Sequence, residues 1–505
     1  MSKEIDGKAK KAKLAPKKSI TPAEQKANIS RWFFLILGLV LFAIVYFIPS
    51  LPDAIDPKGV HIVLPREGQL AIGLFLLAAV WWVFEVVPLG ITSIMIGVTQ
   101  ALFLIRDPSV VFKDFMDPSV WFIFGSIVIG MVFTKSGLTK RMAYKMLSIV
   151  GEKTSMIYLG CFVMTACLTL IMAHTAVAAT VFPLLMAIYS MYSEDDRPTK
   201  FGKGLFIGMA YVAGAGSVIT LLGAARGAVA IGFYKDIVGT EITFFGLTKF
   251  MFPLGALMTF LLWGFFMIFM KPEKKTIPGL RERARSLYSQ LGPMSSREIL
   301  TIIIVFSCVA FLGARSFVPA FKTFDKSAVI LVSTLLFFIL NILDINDLED
   351  IPWNIILLFG GAMCIGFCLW QSGAAEWIAI NWLRMFLNAP PFVFILSIAF
   401  FVLIMTNFIM NVAAIAISMP VALVVARYLG VMPDVILYAS LATAGMPFIF
   451  LVGAAPNAIA YGSKQFTSGE FASYGVIASI MLMAVIALFV SVIWPLMGMP
   501  IYGKW

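Results

Sequence analysis

The chain has 505 residues, of which 60% are hydrophobic and only 13% are charged. Soluble globular chains run near half apolar and a quarter charged, so this balance excludes a soluble multidomain enzyme, a disordered scaffold and a secreted disulfide protein. At about 20 residues per crossing the apolar residues suffice for more than ten helices, and the chain reads as an all-α polytopic membrane protein.

The net charge of +11 is concentrated rather than spread. Residues 1–31 carry eight Lys and Arg31 against Glu4, Asp6 and Glu24, with Pro16, Pro22 and no apolar run. They are expected to form a disordered basic cytoplasmic tail near anionic lipid, not a cleaved signal. No nucleic-acid partner is expected.

Apolar segments follow at roughly 32–50, 69–87, 90–105, 119–137, 155–192, 204–235, 245–270, 298–316, 326–343, 353–371, 391–426, 434–464 and 471–497. Most fit one crossing. The stretches 155–192 and 391–426 are too long for one helix and carry Pro183 and Pro420 in their second halves. Each is read as two crossing helices or as a re-entrant hairpin, which is tolerated where protein or water covers the turn. With two hairpins, about 11 transmembrane helices remain. The basic stretches 1–31, 139–153 and 271–297 then share one side, expected to be the cytoplasmic one, which puts the N-terminus there; the cell (inner) membrane is the expected location. The acidic loop 344–350 lands on that side too, a mild exception.

Five cysteines lie inside apolar runs and give no disulfide or metal spacing, and the two histidines, His61 and His174, are too few for a haem or metal centre. No cofactor is expected. Glu85 precedes Pro88 between two spans, where a helix-capping role is favoured over ion coupling.

The halves resemble each other. Trp121, Phe124-Gly125 and Ser136-Gly137 answer Trp353, Phe359-Gly360 and Ser372-Gly373. The run from His174 to Pro183 answers that from Asn411 to Pro420, and Leu222–Ala230 answers Val452–Ala460. An odd number of crossings between the halves inverts the second, and inverted repeats with interrupted helices point to a secondary transporter's binding site.

Arg226 stands in a run of Gly, Ala, Leu, Val and Ile, where an arginine costs at least about 2.5 kcal/mol unless it faces a cavity or partner. A guanidinium there is suited to a carboxylate, sulfonate or sulfate. His174 sits at the first hairpin turn and its counterpart Asn411 at the second. Either imidazole state, a neutral donor or a proton carrier, fits this position. Thr175, Thr406 and Asn457 add hydroxyl and amide groups, and carbonyls at Gly223 and Gly453 suit Na+.

Glu85-Val86-Val87-Pro88-Leu89-Gly90-Ile91-Thr92 and Gly453-Ala454-Ala455-Pro456-Asn457-Ala458-Ile459 resemble motifs of the divalent anion/sodium symporter family, which carries dicarboxylates, citrate and sulfate. The resemblance covers nearly the whole chain after the tail. It implies a homodimer whose transport domain moves elevator-fashion against a scaffold. Scaffold helices would occupy 32–151 and 298–390, transport-domain hairpins and helices 152–270 and 391–497, and a cytoplasmic linker 271–297. The family's Ser-Asn-Thr tips are replaced by Ala173-His174-Thr175 and Met410-Asn411-Val412. Its first Gly-Thr-Pro-Pro-Asn loop is replaced by Gly223-Ala224-Ala225-Arg226-Gly227.

Carried over, the resemblance implies substrate contacts at His174, Thr175, Arg226, Gly227, Asn411, Val412, Pro456 and Asn457. Sodium ligands would be Thr406, Asn411, Gly453 and Gly223, although Arg226 opposes Na+ at the first site. The expectation is a secondary transporter of a small divalent anion, coupled to Na+ or H+. The alternatives are a cation-independent anion exchanger and a non-transporting sensor of the same fold. A membrane enzyme would need clustered His, Asp or Glu within spans, which this chain nearly lacks.

Overall fold

A computed structural model describes residues 22–55, 60–193, 197–383 and 390–503. Most of the proposed tail, 1–21, lies outside them. Its last part is helical, because the first helix runs Pro22–Phe47, and it packs on Arg66–Val83. Gln69, 2% exposed, donates to the carbonyls of Val45 at 2.9 Å and Ile48 at 3.0 Å, which helix geometry leaves without intrahelical partners.

Among the described residues nine helices are long and apolar enough to cross a membrane, with shorter apolar helices at Arg31–Phe47, Leu89–Leu102, Thr154–Thr169 and Lys326–Ile339. The architecture is all-α and polytopic, apart from a two-residue antiparallel pairing of Ala54–Ile55 with His61–Ile62. Glu85 caps nothing. The helix Leu89–Leu102 starts behind Pro88, its Gly90 N–H donates to Asn354 Oδ1 at 2.8 Å, and Glu85 itself adopts a left-handed φ of 42° in the turn before it.

The repeat is visible as a repeated order of elements. Pro118–Lys135 ends on Ser136, and Gly137 with φ 87° starts the short helix Leu138–Val150. Trp353–Gln371 likewise ends on Ser372, followed by Gly373 with φ 77° and the helix Ala374–Leu383. Only glycine adopts such a φ without strain, which explains the paired Ser-Gly signals. A helical hairpin follows in each half: Thr154–Thr169 with His174–Tyr192, then Pro391–Phe408 with Asn411–Leu429. Pro183 and Pro420 lie inside the second arms.

Each hairpin is followed by an interrupted helix. In the first half Lys200–Gly216 stops, residues 217–224 are non-helical, and Ala225–Val238 resumes. In the second, Pro433–Ala444 stops and Ala455–Tyr461 resumes, with one 3-10 turn, Leu451–Gly453, between them. Lys200–Gly216, Asn411–Leu429 and Pro433–Ala444 are buried along nearly their whole length, so the core is centred on the two interruptions.

The basic linker contains the helix Leu280–Gln290, packed on Leu138–Val150. Arg141 fixes it there. Its Nε donates to Glu298 Oε1 at 2.7 Å, Nη2 to Glu298 Oε2 at 3.1 Å, and Nη1 to the Gly292 carbonyl at 2.9 Å. Glu298 also closes a capping box with Ser295 at the start of Ser296–Ala314.

Candidate anion site between the hairpin tips and helix interruptions

A cavity of about 900 Å3 reaches from the protein interior to the face that carries the linker helix. Its inner end is formed by both hairpin tips, Ala173-His174-Thr175 and Met410-Asn411-Val412, and by Ala224, Ala225, Gly453, Ala454 and Ala455 from the two interruptions. Lys135, Lys140, Arg283 and Asp347 line its outer part. Lys135 bonds Asp344 at 3.1 Å and also pairs with Asp347. These bonds hold the Asp344 carboxyl below the usual carboxylate range.

Helix polarity shapes the inner end. His174–Tyr192, Ala225–Val238 and Asn411–Leu429 all begin at the cavity, behind the N-cap residues Ala173, Ala224 and Met410. None of these caps supplies a side-chain acceptor. Soluble helices satisfy their first N–H groups with Ser, Thr, Asp or Asn. Three helix N-termini without side-chain caps around one cavity make an environment for an anion.

The His174 N–H donates to the Gly223 carbonyl at 2.9 Å, and its Nδ1 lies 3.2 Å from the same oxygen. A carbonyl only accepts, so Nδ1 carries the proton in that contact. The tip and the interruption are thereby joined. Thr220 Oγ1 adds a bond to the Leu170 carbonyl at 2.8 Å, and Ser126 Oγ one to the Leu222 carbonyl at 3.0 Å. The side chains of Thr175 and Asn411 reach the cavity with no hydrogen bond inside the protein among the described residues.

Arg226 does not line the cavity. It is 1% exposed, and its Nη2 donates to Ser217 Oγ at 2.7 Å while Nη1 has no partner among the described residues. A Cβ on Gly445 would stand 2.5 Å from Nη2, so the guanidinium lies against the backbone of the second interruption. No carboxylate is paired with it among the described residues. A fixed cation thus sits one residue beyond Ala225, behind the inner wall, and Gly227 follows it out of the cavity lining.

In the second half, Thr406 Oγ1 donates to the Ala444 carbonyl at 2.9 Å. A Cβ on Gly453 would stand 2.8 Å from the Thr406 carbonyl oxygen, so these two positions are adjacent. Asn457 lies outside the lining, 2% exposed, with Nδ2 donating to the carbonyls of Pro447 at 2.8 Å and Phe450 at 3.1 Å. Its neighbour Pro456 occupies the first turn of Ala455–Tyr461 and is likewise outside the lining.

Sequence reading overlooked Asn407. Its Oδ1 accepts from the backbone N–H groups of Ile449 at 2.8 Å and Phe450 at 3.3 Å, which ties the second hairpin to the second interruption. An amide four residues before the tip Asn411 was the available signal. Asn457→Ala would free two carbonyls in the interior, at about 1–3 kcal/mol for each unsatisfied group. A fall of several degrees in the thermal midpoint of the detergent-purified protein is expected, and an unchanged midpoint would deny the bridging role.

Paired hairpins, interrupted helices and a cavity open to one face are the arrangement of a multi-pass membrane transporter. Residues 29–500 match the family model described as the sodium:sulfate symporter transmembrane region, and the chain belongs to that family. The sodium-dependent dicarboxylate transporter SdcS of Staphylococcus saprophyticus is 27% identical over 485 residues, covering 92% of this chain and 91% of the relative. SdcS of Staphylococcus aureus strain MRSA252 is 24% identical over 489 residues, covering 91% of each. Among solved structures, MtrF of Neisseria gonorrhoeae, described within a class of antimetabolite efflux pumps, superposes with a TM-score of 0.57 at 13% identity, covering 92% of this chain and 94% of that one. The YdaH transporter of Alcanivorax borkumensis gives 0.58 at 13% identity, covering 94% and 99%. At that identity the two structures share the fold alone.

Proposed function

We propose that the protein is a secondary active transporter of a small dianion, a dicarboxylate above all, with tricarboxylates, sulfate and sulfonates as the wider class. The observation that carries this reading is the meeting of three helix N-termini without side-chain caps at one cavity, with Arg226 behind its wall. The relatives' sodium-dependent dicarboxylate transport agrees with it. His174, Thr175, Asn411 and Val412 meet the substrate directly. Arg226 and Gly227 act from behind the wall, and Pro456 and Asn457 set the shape of the second interruption. In a low-dielectric interior an uncompensated guanidinium attracts an anion across several ångströms.

The cavity opens beside the basic linker, so by the charge rule it faces the cytoplasm. The opposite state arises when the hairpins and interrupted helices move as one transport domain against the remaining scaffold helices, in a homodimer with the elevator mechanism.

The two halves suit Na+ differently. Thr406, Asn411 and the Gly453 carbonyl form an oxygen-rich set in the second half, suited to a hard cation that travels with the substrate. In the first half the Gly223 carbonyl already accepts two bonds from His174, and Arg226 is close by. Arg226 therefore replaces one sodium ion as counter-charge. Uptake into proteoliposomes, with Na+ and pH gradients imposed separately, tests this. Weak, first-order Na+ dependence that is lost in Thr406→Ala is expected.

One observation favours a second reading. A fixed internal cation also suits an exchanger that needs no coupling cation, and that reading predicts trans-stimulation by internal substrate with indifference to Na+. Steep, high-order Na+ dependence would reject both proposals for Arg226.

A further inference from the structure

Polar side chains are few at the inner end of the cavity. The first tip presents His174 and Thr175, and the second presents Asn411 flanked by Met410 and Val412, both of which line the cavity. Between the tips stand Ala224, Ala225, Ala454 and Ala455, whose side chains end at Cβ. Ile123 and Ile127 of Pro118–Lys135 and Phe359 of Trp353–Gln371 also line the cavity. The hydroxyl of Ser126 is already bonded to the Leu222 carbonyl. The charged lining residues are confined to the outer part.

We infer that the transported dianion carries an apolar substituent between its two acidic groups, received by Met410, Val412, Ile123, Ile127 and Phe359. This rests on the dianion reading above and narrows it from short unsubstituted dicarboxylates to alkyl- or aryl-substituted ones. The acidic groups are held by the helix N-termini without side-chain caps, with His174, Thr175 and Asn411. An unsubstituted four-carbon diacid would leave the apolar flank of the second tip without a partner, and the alanine collar leaves room for more. Each methylene moved from water onto such a wall is worth about 0.8 kcal/mol, or about fourfold in affinity.

The experiment is a ligand series on the purified full chain, with apparent affinity taken from the concentration dependence of the thermal midpoint. Succinate is compared with 2-methyl-, 2-ethyl- and 2-propylsuccinate, and pentanoate serves as an apolar monoanion. Affinity is expected to rise by up to about fourfold per added methylene, with pentanoate inactive. Met410→Ser and Val412→Thr, which place hydroxyls on the flank, are expected to flatten the series. A wild-type series that is flat, or that falls with each methylene, overturns the inference while leaving the dianion reading in place. Pentanoate stabilising as well as ethylsuccinate overturns it too, because the second acidic group would then go unread. If no dicarboxylate stabilises the protein but citrate, sulfate or a sulfonate does, the inference falls alone; if none of them does, the dianion reading falls with it.

Discussion

Arg226→Met is expected to lower dicarboxylate uptake by at least about 30-fold while leaving the substrate-free protein as stable as before, or more so. The two effects have separate causes. Losing a desolvated charge that acts on a bound anion costs about 2–5 kcal/mol of interaction, and each 1.36 kcal/mol is tenfold in rate. The same guanidinium is 1% exposed, meets one hydroxyl and has no paired carboxylate among the described residues, so the fold bears its desolvation. Desolvating an unpaired charge costs a fold several kcal/mol, and an apolar side chain of similar size removes that cost. Uptake by proteoliposomes and the thermal midpoint, measured on one preparation, separate the roles. A structural arginine would lose both together, and a functional one loses uptake alone.

Arg141→Ala is expected to give the largest loss of stability, about 3–5 kcal/mol, by leaving Glu298 buried without its cation. The two side chains are 11% and 6% exposed, and the guanidinium also holds the Gly292 and Pro293 carbonyls of the linker at 2.9 and 3.2 Å. Limited proteolysis of the detergent-purified protein should then cut within 271–297, where the wild type resists. The paired change Arg141→Met with Glu298→Leu should recover most of the loss, since no charge is stranded. If the paired change is as unstable as the single one, packing rather than charge holds this contact.

Long apolar segments made the crossings legible, because length and hydropathy suffice to define them. The hairpins and interruptions were legible for a different reason. Pro183 and Pro420, and the runs around Gly223 and Gly453, recur at matching places in both halves. The short helices escaped notice for two reasons: Leu138–Val150 is amphipathic, and Ala374–Leu383, although apolar, has only 10 residues, too few for a crossing. At the site, sequence placed His174 and Asn411 at the tips, where the structure has them. It gave no access to the orientation of Arg226, which depends on Ser217 nine residues earlier and on the missing side chain of Gly445, more than two hundred residues later. Asn407 was hidden similarly. Its partners are backbone N–H groups, and these leave no mark in the sequence.

Solute counterflow bears most directly on the anion cavity as a transport pathway. Proteoliposomes are loaded with unlabelled dicarboxylate, diluted into trace labelled dicarboxylate, and sampled over time. Transient accumulation of label above equilibrium is expected, and it should vanish in Arg226→Met. Label that never exceeds equilibrium with any dicarboxylate, citrate, sulfate or sulfonate, although the protein binds one of them, would mean that the cavity senses anions without carrying them.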